Sequence, residues 1–196
     1  MTSAQSRRSY APIMAVHLAR LSELAAVDHS CFTRAAGRPE YRERRVAVVL
    51  AQGAALHYAD GRSGVKDFDV WSFYAAAPGH RFPADRRETH ADFGVSEFGR
   101  QLYELQEARS EREATRWRGW QRYGGRRVDF LVRALPIAPD AGTEEVIDSL
   151  QHWLALGARS RACHKPSPWH LAQKAVALIE PADCRGLLIW PDAHHR

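Results

Sequence analysis

VAVVLAQGAALHYADGRSGVKDFDVWSFY, running from Val46 to Tyr74, places two apolar runs on either side of a polar, glycine-containing middle. The first run, Val46–Leu50, reads as a buried strand. Gly53-Ala54 then reads as a tight turn opening a polar loop, and the second run reads as a strand carrying Asp67-Phe68-Asp69. Strand alternation sets Asp67 and Asp69 on one face, roughly 6–7 Å apart along the backbone, with Phe68 and Val70 toward the core. Two carboxylates in such apolar company are costly without a cation beside them. The pattern is that of a metal site.

Composition bounds the reading. The chain has 196 residues, 45% of them hydrophobic, enough for one packed domain or one domain with a helical appendage. With 28 Lys+Arg against 23 Asp+Glu the net charge is +5, which suits either an ordinary solvated surface or attraction for a polyanion such as a nucleotide or RNA. Cys31, Cys163 and Cys184 are odd in number and contain no CxxC, which argues against a disulfide framework and for a reducing cytosol. Cys163, His164, His170 and Cys184 match no standard zinc spacing. Arg7-Arg8 has the form of a twin-arginine pair, but His17 and Arg20 interrupt the segment after it, so no clean apolar h-region follows. No run approaches membrane-spanning length. The expectation is a cytoplasmic protein with no membrane partner.

Further along the chain, Ile13, Val16, Leu21 and Leu24 recur near helical spacing and predict a helix from Pro12 to about Ala26. Residues 78–115 are polar, and the mixed charges of Glu104–Glu113 suggest a short exposed helix. Asp92-Phe93-Gly94 spells the kinase metal-binding tripeptide, yet no glycine-rich loop, strand lysine or HRD accompanies it. Gly124-Gly125 marks a turn, and Arg127–Leu135 has the β-branched and aromatic content of a strand with Asp129 inside it. Thr143 with Glu144-Glu145 opens a helix whose apolar face is Val146, Ile147, Leu150, Trp153 and Leu154, ending at Gly157. Ser167-Pro168 starts a second predicted helix, through Leu171, Ala175, Leu178 and Ile179 to Pro181. Gly186–Trp190 reads as a short edge strand. The division expected is a core over 1–140 and a C-terminal helical segment over 141–196 packed on it.

Asp129 beside the strand of Asp67 and Asp69 would close a pocket sized for one or two Mg²⁺ or Mn²⁺ ions, since neighbouring strands lie about 4.8 Å apart. Two-metal phosphoryl-type transfer needs ions roughly 3.5–4 Å apart, one lowering the pKa of an attacking hydroxyl and the other neutralising the leaving pyrophosphate. Gly53 and Ala54 would offer backbone N–H groups to the phosphates.

These residues, Gly53-Ala54, then Asp67-Phe68-Asp69-Val70, then Val128-Asp129-Phe130, resemble the DNA polymerase β-like nucleotidyltransferase superfamily over roughly 45–135. The resemblance implies an α/β (α+β) fold, a mixed sheet flanked by helices, and transfer of an NMP group from an NTP to an acceptor hydroxyl with release of pyrophosphate. By that analogy Asp67 and Asp69 ligate metal, while Asp129 ligates the catalytic metal and helps activate the acceptor. Ala54 departs from the family's small hydroxyl or glycine and leaves only backbone contacts to the triphosphate. The other reading is a non-catalytic binding or regulatory module, such as a toxin–antitoxin component.

Several side chains admit two readings. Lys66 either contacts a phosphate or extends into solvent. Arg126 and Arg127 either steer a polyanion or pair with nearby acids. Trp117, Trp120 and Tyr123, interleaved with Arg116, Arg118 and Arg122, form either a stacking surface for single-stranded nucleic acid or hairpin packing. Lys174 and His170 stand near a nucleotide cleft only if the late helix approaches it.

Overall fold

The computed structural model describes residues 10–35, 37–83, 89–94, 98, 110–112, 114–115, 126–159 and 174–191. Their elements are α1 (Ala15–Ser30), β1 (Arg45–Ala51), α2 (Gln52–Asp60), β2 (Phe68–Ala75), β3 (Thr89–Asp92), β4 (Arg127–Leu135), α3 (Thr143–Arg159), β5 (Val176–Glu180) and β6 (Leu188–Trp190). The six strands form one sheet in the order β3-β4-β2-β1-β5-β6. Only β2 and β4 run parallel; every other neighbouring pair is antiparallel. The fold is the expected α+β arrangement, a mixed sheet flanked by helices.

Both faces of the sheet are covered, which explains why its central strands read as continuous apolar runs. On one face Leu18, Leu21 and Ala25 of α1, with Ala54 and Ala55 of α2, pack against Val48, Leu50, Val70, Val128 and Phe130. On the other, Val146, Leu150 and Leu154 of α3 meet Val49, Trp71, Phe73 and Leu178. Each of those α3 side chains is at most 3% exposed, so each contributes about 1.5–3 kcal/mol of apolar burial. The helix has the predicted start and face, and it runs two residues past Gly157. A third cluster, Phe32, Tyr41, Tyr74, Ala77 and Val132, closes the end of the sheet where β2 finishes.

Three expectations are corrected. The turn at Gly53-Ala54 is instead the first part of α2, which continues through Ala55 and Ala59 and stops at Gly61 in the left-handed conformation (φ 64°). The helix predicted up to Pro181 is replaced at its end by β5, whose Val176, Ala177, Leu178 and Ile179 are all buried. A short, wholly apolar run has no periodicity to separate a central strand from a buried helix. β5 pairs with β1, so the sheet crosses the expected boundary at 140, and the 141–196 segment supplies two strands as well as a helix. Helix α1 begins later and extends further than predicted. The expected edge strand is present as β6. The helix expected over Glu104–Glu113 lies almost wholly outside the described residues. No helix among those described is long and apolar enough to cross a membrane.

Candidate active site

A single row of paired residues crosses the sheet: His90, Asp129, Asp69, Ala51, Val176 and Trp190. The row lies at the C-terminal end of β1 and near the N-terminal ends of β2, β4 and β5. Parallel register therefore sets Asp69 directly beside Asp129, on strands that neighbour one another at about 4.8 Å. Both acids belong to the face covered by α3, because Phe68, Val70, Val128 and Phe130 take the opposite face. Asp67 stands one residue before β2, in the loop that follows α2.

Asp67, Asp69 and Asp129 all line one cavity of about 650 Å³, together with Gln52, Gly53, Leu56, Ser63, Gly64, Lys66 and Lys174. The structure thus brings together five of the six residues singled out from the sequence. The sixth, Ala54, is 1% exposed and packs in the core under α2, outside the cavity lining. The Ala54 side chain therefore has no part in the cavity.

Two lysines bring positive charge to this cavity. Lys66 arrives on the α2–β2 loop and Lys174 stands just before β5. A Cβ built on Gly53 would meet the Lys174 ammonium at 3.7 Å, so this side chain lies over the first turn of α2. The N–H groups and dipole of that turn favour an anion in the same place. Gln52, at the junction of β1 and α2, holds a left-handed φ of 57°, which costs a non-glycine residue about 1–2 kcal/mol. Its amide is fixed by a 3.1 Å hydrogen bond to the carbonyl of Ala175. The cavity loop is pinned as well. Buried His57 accepts from the Gly64 amide at 3.1 Å through Nδ1, and its Nε2 lies 2.9 Å from the Ala11 carbonyl. Asp60 accepts from the Arg62 and Ser63 amides and the Ser63 hydroxyl.

Asp129 is 6% exposed. Burial pushes its carboxyl above the usual range; the adjacent Arg127 pulls it back by charge and hydrogen bond, Asp67 pushes it up, and His90 pulls it down. The net direction is up, because desolvation outweighs the partners. Its Oδ1 accepts from Arg127 Nε and lies 2.8 Å from His90 Nδ1. Of the two readings of Arg127, pairing with an acid holds, and its side chain is 2% exposed. Arg126 is buried too, which does not suit a steering role at the surface.

Among the described residues no group of three or more His, Cys, Asp or Glu side chains is gathered so as to hold a metal ion by itself. The donor set still suits Mg²⁺, which binds through one or two carboxylates plus substrate phosphates rather than in an all-protein cage. The opposition between Asp67 and Asp129 is what a divalent cation would relieve.

Sequence reasoning missed His90, Gln52, Ser63 and Gly64. It named Lys174 only as a residue of a helix that is absent at that position. His164, His170, Cys163 and the Arg116–Tyr123 segment lie outside the described residues. No protein-family profile matches this chain, and no curated protein or solved structure matches it either.

Proposed function

We propose that this chain is a metal-dependent nucleotidyltransferase, moving an NMP group from an NTP to an acceptor hydroxyl and releasing pyrophosphate. The observation that carries the reading is the in-register pair Asp69–Asp129 at the wall of a cavity that also holds Asp67, Lys66 and Lys174. Carboxylates together with two lysines, one of them over the start of α2, are what a metal-bound polyphosphate needs.

In this reading the acceptor oxygen bonds to the α-phosphorus as the bond to the β-phosphate oxygen breaks, and the electron pair leaves on pyrophosphate. Lys66 and Lys174 hold the phosphate tail, with the backbone N–H of Gly53 beneath it, since the Gln52 amide is already bonded to the Ala175 carbonyl. The hydroxyl proton passes to the Asp129 carboxylate, which lines the cavity beside Asp69. Asp67, Asp69 and Asp129 would hold Mg²⁺ or Mn²⁺, which supplies charge neutralisation on the triphosphate and lowers the pKa of the acceptor hydroxyl. The acceptor class is RNA, a protein side chain or a small molecule, with the net charge of +5 suiting nucleic acid.

One observation favours the non-catalytic module instead: Arg127 already neutralises Asp129 from within the protein. Thermal melts with NTP, with and without Mg²⁺ or Mn²⁺, separate the two. The enzyme reading expects a metal-dependent rise in Tm for the wild type that vanishes in Asp69→Asn. Absence of any shift with every NTP and both metals would leave the binding module as the better account.

A further inference from the structure

We infer that His90 is a positioning residue for the metal-facing carboxylate, holding Asp129 in the one rotamer that leaves its second oxygen to the cavity. The inference rests on the nucleotidyltransferase reading and adds a residue to it.

Strand β3 is a weak edge strand. It has four residues, its first two positions are exposed and its last two only half-buried, and among the described strands it lies next to β4 alone. It is nonetheless fixed from two directions. Four consecutive residues pair with β4, from Thr89 opposite Phe130 to Asp92 opposite Arg127. The Thr89 hydroxyl also donates to Oδ1 of Asp28, a buried carboxylate on α1. This places His90 across from Asp129, with Nδ1 2.8 Å from Oδ1.

The two side-chain hydrogen bonds that Asp129 makes with described residues converge on that same oxygen, one from His90 and one from Arg127 Nε, and Oδ2 makes none with any described residue. Arg127 sits two residues away on the same strand and reaches the oxygen along β4, whereas His90 reaches it from the neighbouring strand. A carboxylate turns easily about its last torsion, whose energy profile is broad and two-fold. One donor leaves it free to pivot; two donors from different strands on one oxygen remove that freedom. The acid then offers Oδ2 to the cavity without reorganisation, which is how outer partners of a metal ligand raise affinity. If His90 only satisfied a buried acid, its loss would lower stability and leave cation affinity unchanged.

The test is Mn²⁺ binding to the full chain, followed by loss of the free-ion paramagnetic signal, alone and with ATP present. His90→Ala is expected to weaken Mn²⁺ binding about tenfold or more. His90→Asn, whose amide nitrogen can stand near the Nδ1 position, is expected to restore most of the loss. His90→Gln, whose amide lies beyond that position, is not. Equal affinity in wild type, His90→Ala and His90→Gln overturns the inference. Should His90→Ala fail to fold, the contrast between Asn and Gln decides, and equal binding by those two overturns it as well. Binding that disappears in Asp69→Asn while ignoring every His90 variant leaves the enzyme reading standing and this inference refuted. A wild type that takes up no Mn²⁺, alone or with ATP, refutes both.

Discussion

Strand β2 begins among carboxylates and ends among aromatic rings. At its start, half-buried Asp69 faces Asp129 across the parallel register, and Asp129 sits in an environment that resists its charge. Six residues on from Phe68, Tyr74 is wholly buried, with ring centroids 5.1 Å from Phe32 and 5.9 Å from both Tyr41 and Phe82. Such ring pairs add about 0.5–1.5 kcal/mol each beyond the area they bury. One strand thus carries its carboxylate neighbours at one end and much of its anchorage at the other. The separation is physically sensible: an end that must hold like charges together cannot also supply the stability that pays for them.

Breaking each end separately should give opposite signatures, and these are the largest effects expected. If the chain is the nucleotidyltransferase proposed above, Asp69→Asn should lower that activity by about 10³-fold, the several kcal/mol that a metal-bound charge supplies, while its urea midpoint stays near that of the wild type. Phe32→Ala should cost about 3–5 kcal/mol in urea unfolding, since Phe32 is 1% exposed, with activity per folded molecule retained. If Phe32→Ala instead lost activity in its folded fraction, the two ends would be coupled through β2 and the division would be wrong.

Arg127→Met sharpens the comparison from the charged end. Removing one partner of a buried ion pair strands the other, at a cost of about 3 kcal/mol or more near neutral pH. The sign with pH follows from Asp129. Its folded carboxyl already lies above the ordinary 3.8, so it binds its proton more readily folded than unfolded, and its contribution to stability falls as pH rises through that interval. Without Arg127 the carboxyl moves higher still. The deficit of Arg127→Met relative to wild type should therefore be largest at neutral pH and shrink as the solution is acidified. A deficit constant from neutral pH to about pH 4 would mean that Arg127 acts by packing rather than by charge.

The same contrast explains what could be read in advance. Asp67, Asp69 and Asp129 stood out because carboxylates flanked by Phe, Val and Trp conflict with a plain strand, and the structure sets all three along one cavity. The apolar face of α3 was legible from its spacing. Less visible were elements whose identity is settled only by their neighbours. Val176–Ile179 is uniformly apolar, and only its place between β1 and β6 makes it a strand. Ala54 looked like part of a phosphate turn until α2 placed it in the core. His90 carried no local signal at all: Thr-His-Ala-Asp has no apolar alternation, and a register with Asp129, 39 residues later, is a tertiary fact.

Lys174 offers the smallest and most specific effect, because it joins the charged end of β2 to the last part of the chain. Its ammonium stands over the start of α2, yet the side chain is exposed, so water and salt weaken any phosphate contact it makes. Lys174→Ala is accordingly expected to raise KM for the NTP about tenfold with kcat little changed, the pattern of an interaction felt equally in ground and transition states. That increase should diminish as salt is raised, since screening already removes part of the wild-type contact. Lys174→Arg, which keeps the charge but changes the donor geometry, should recover most of the loss if a point charge on the phosphate tail is what matters. A kcat that fell together with kcat/KM would instead place Lys174 on the group being transferred, and would move the expected position of the leaving pyrophosphate away from the first turn of α2.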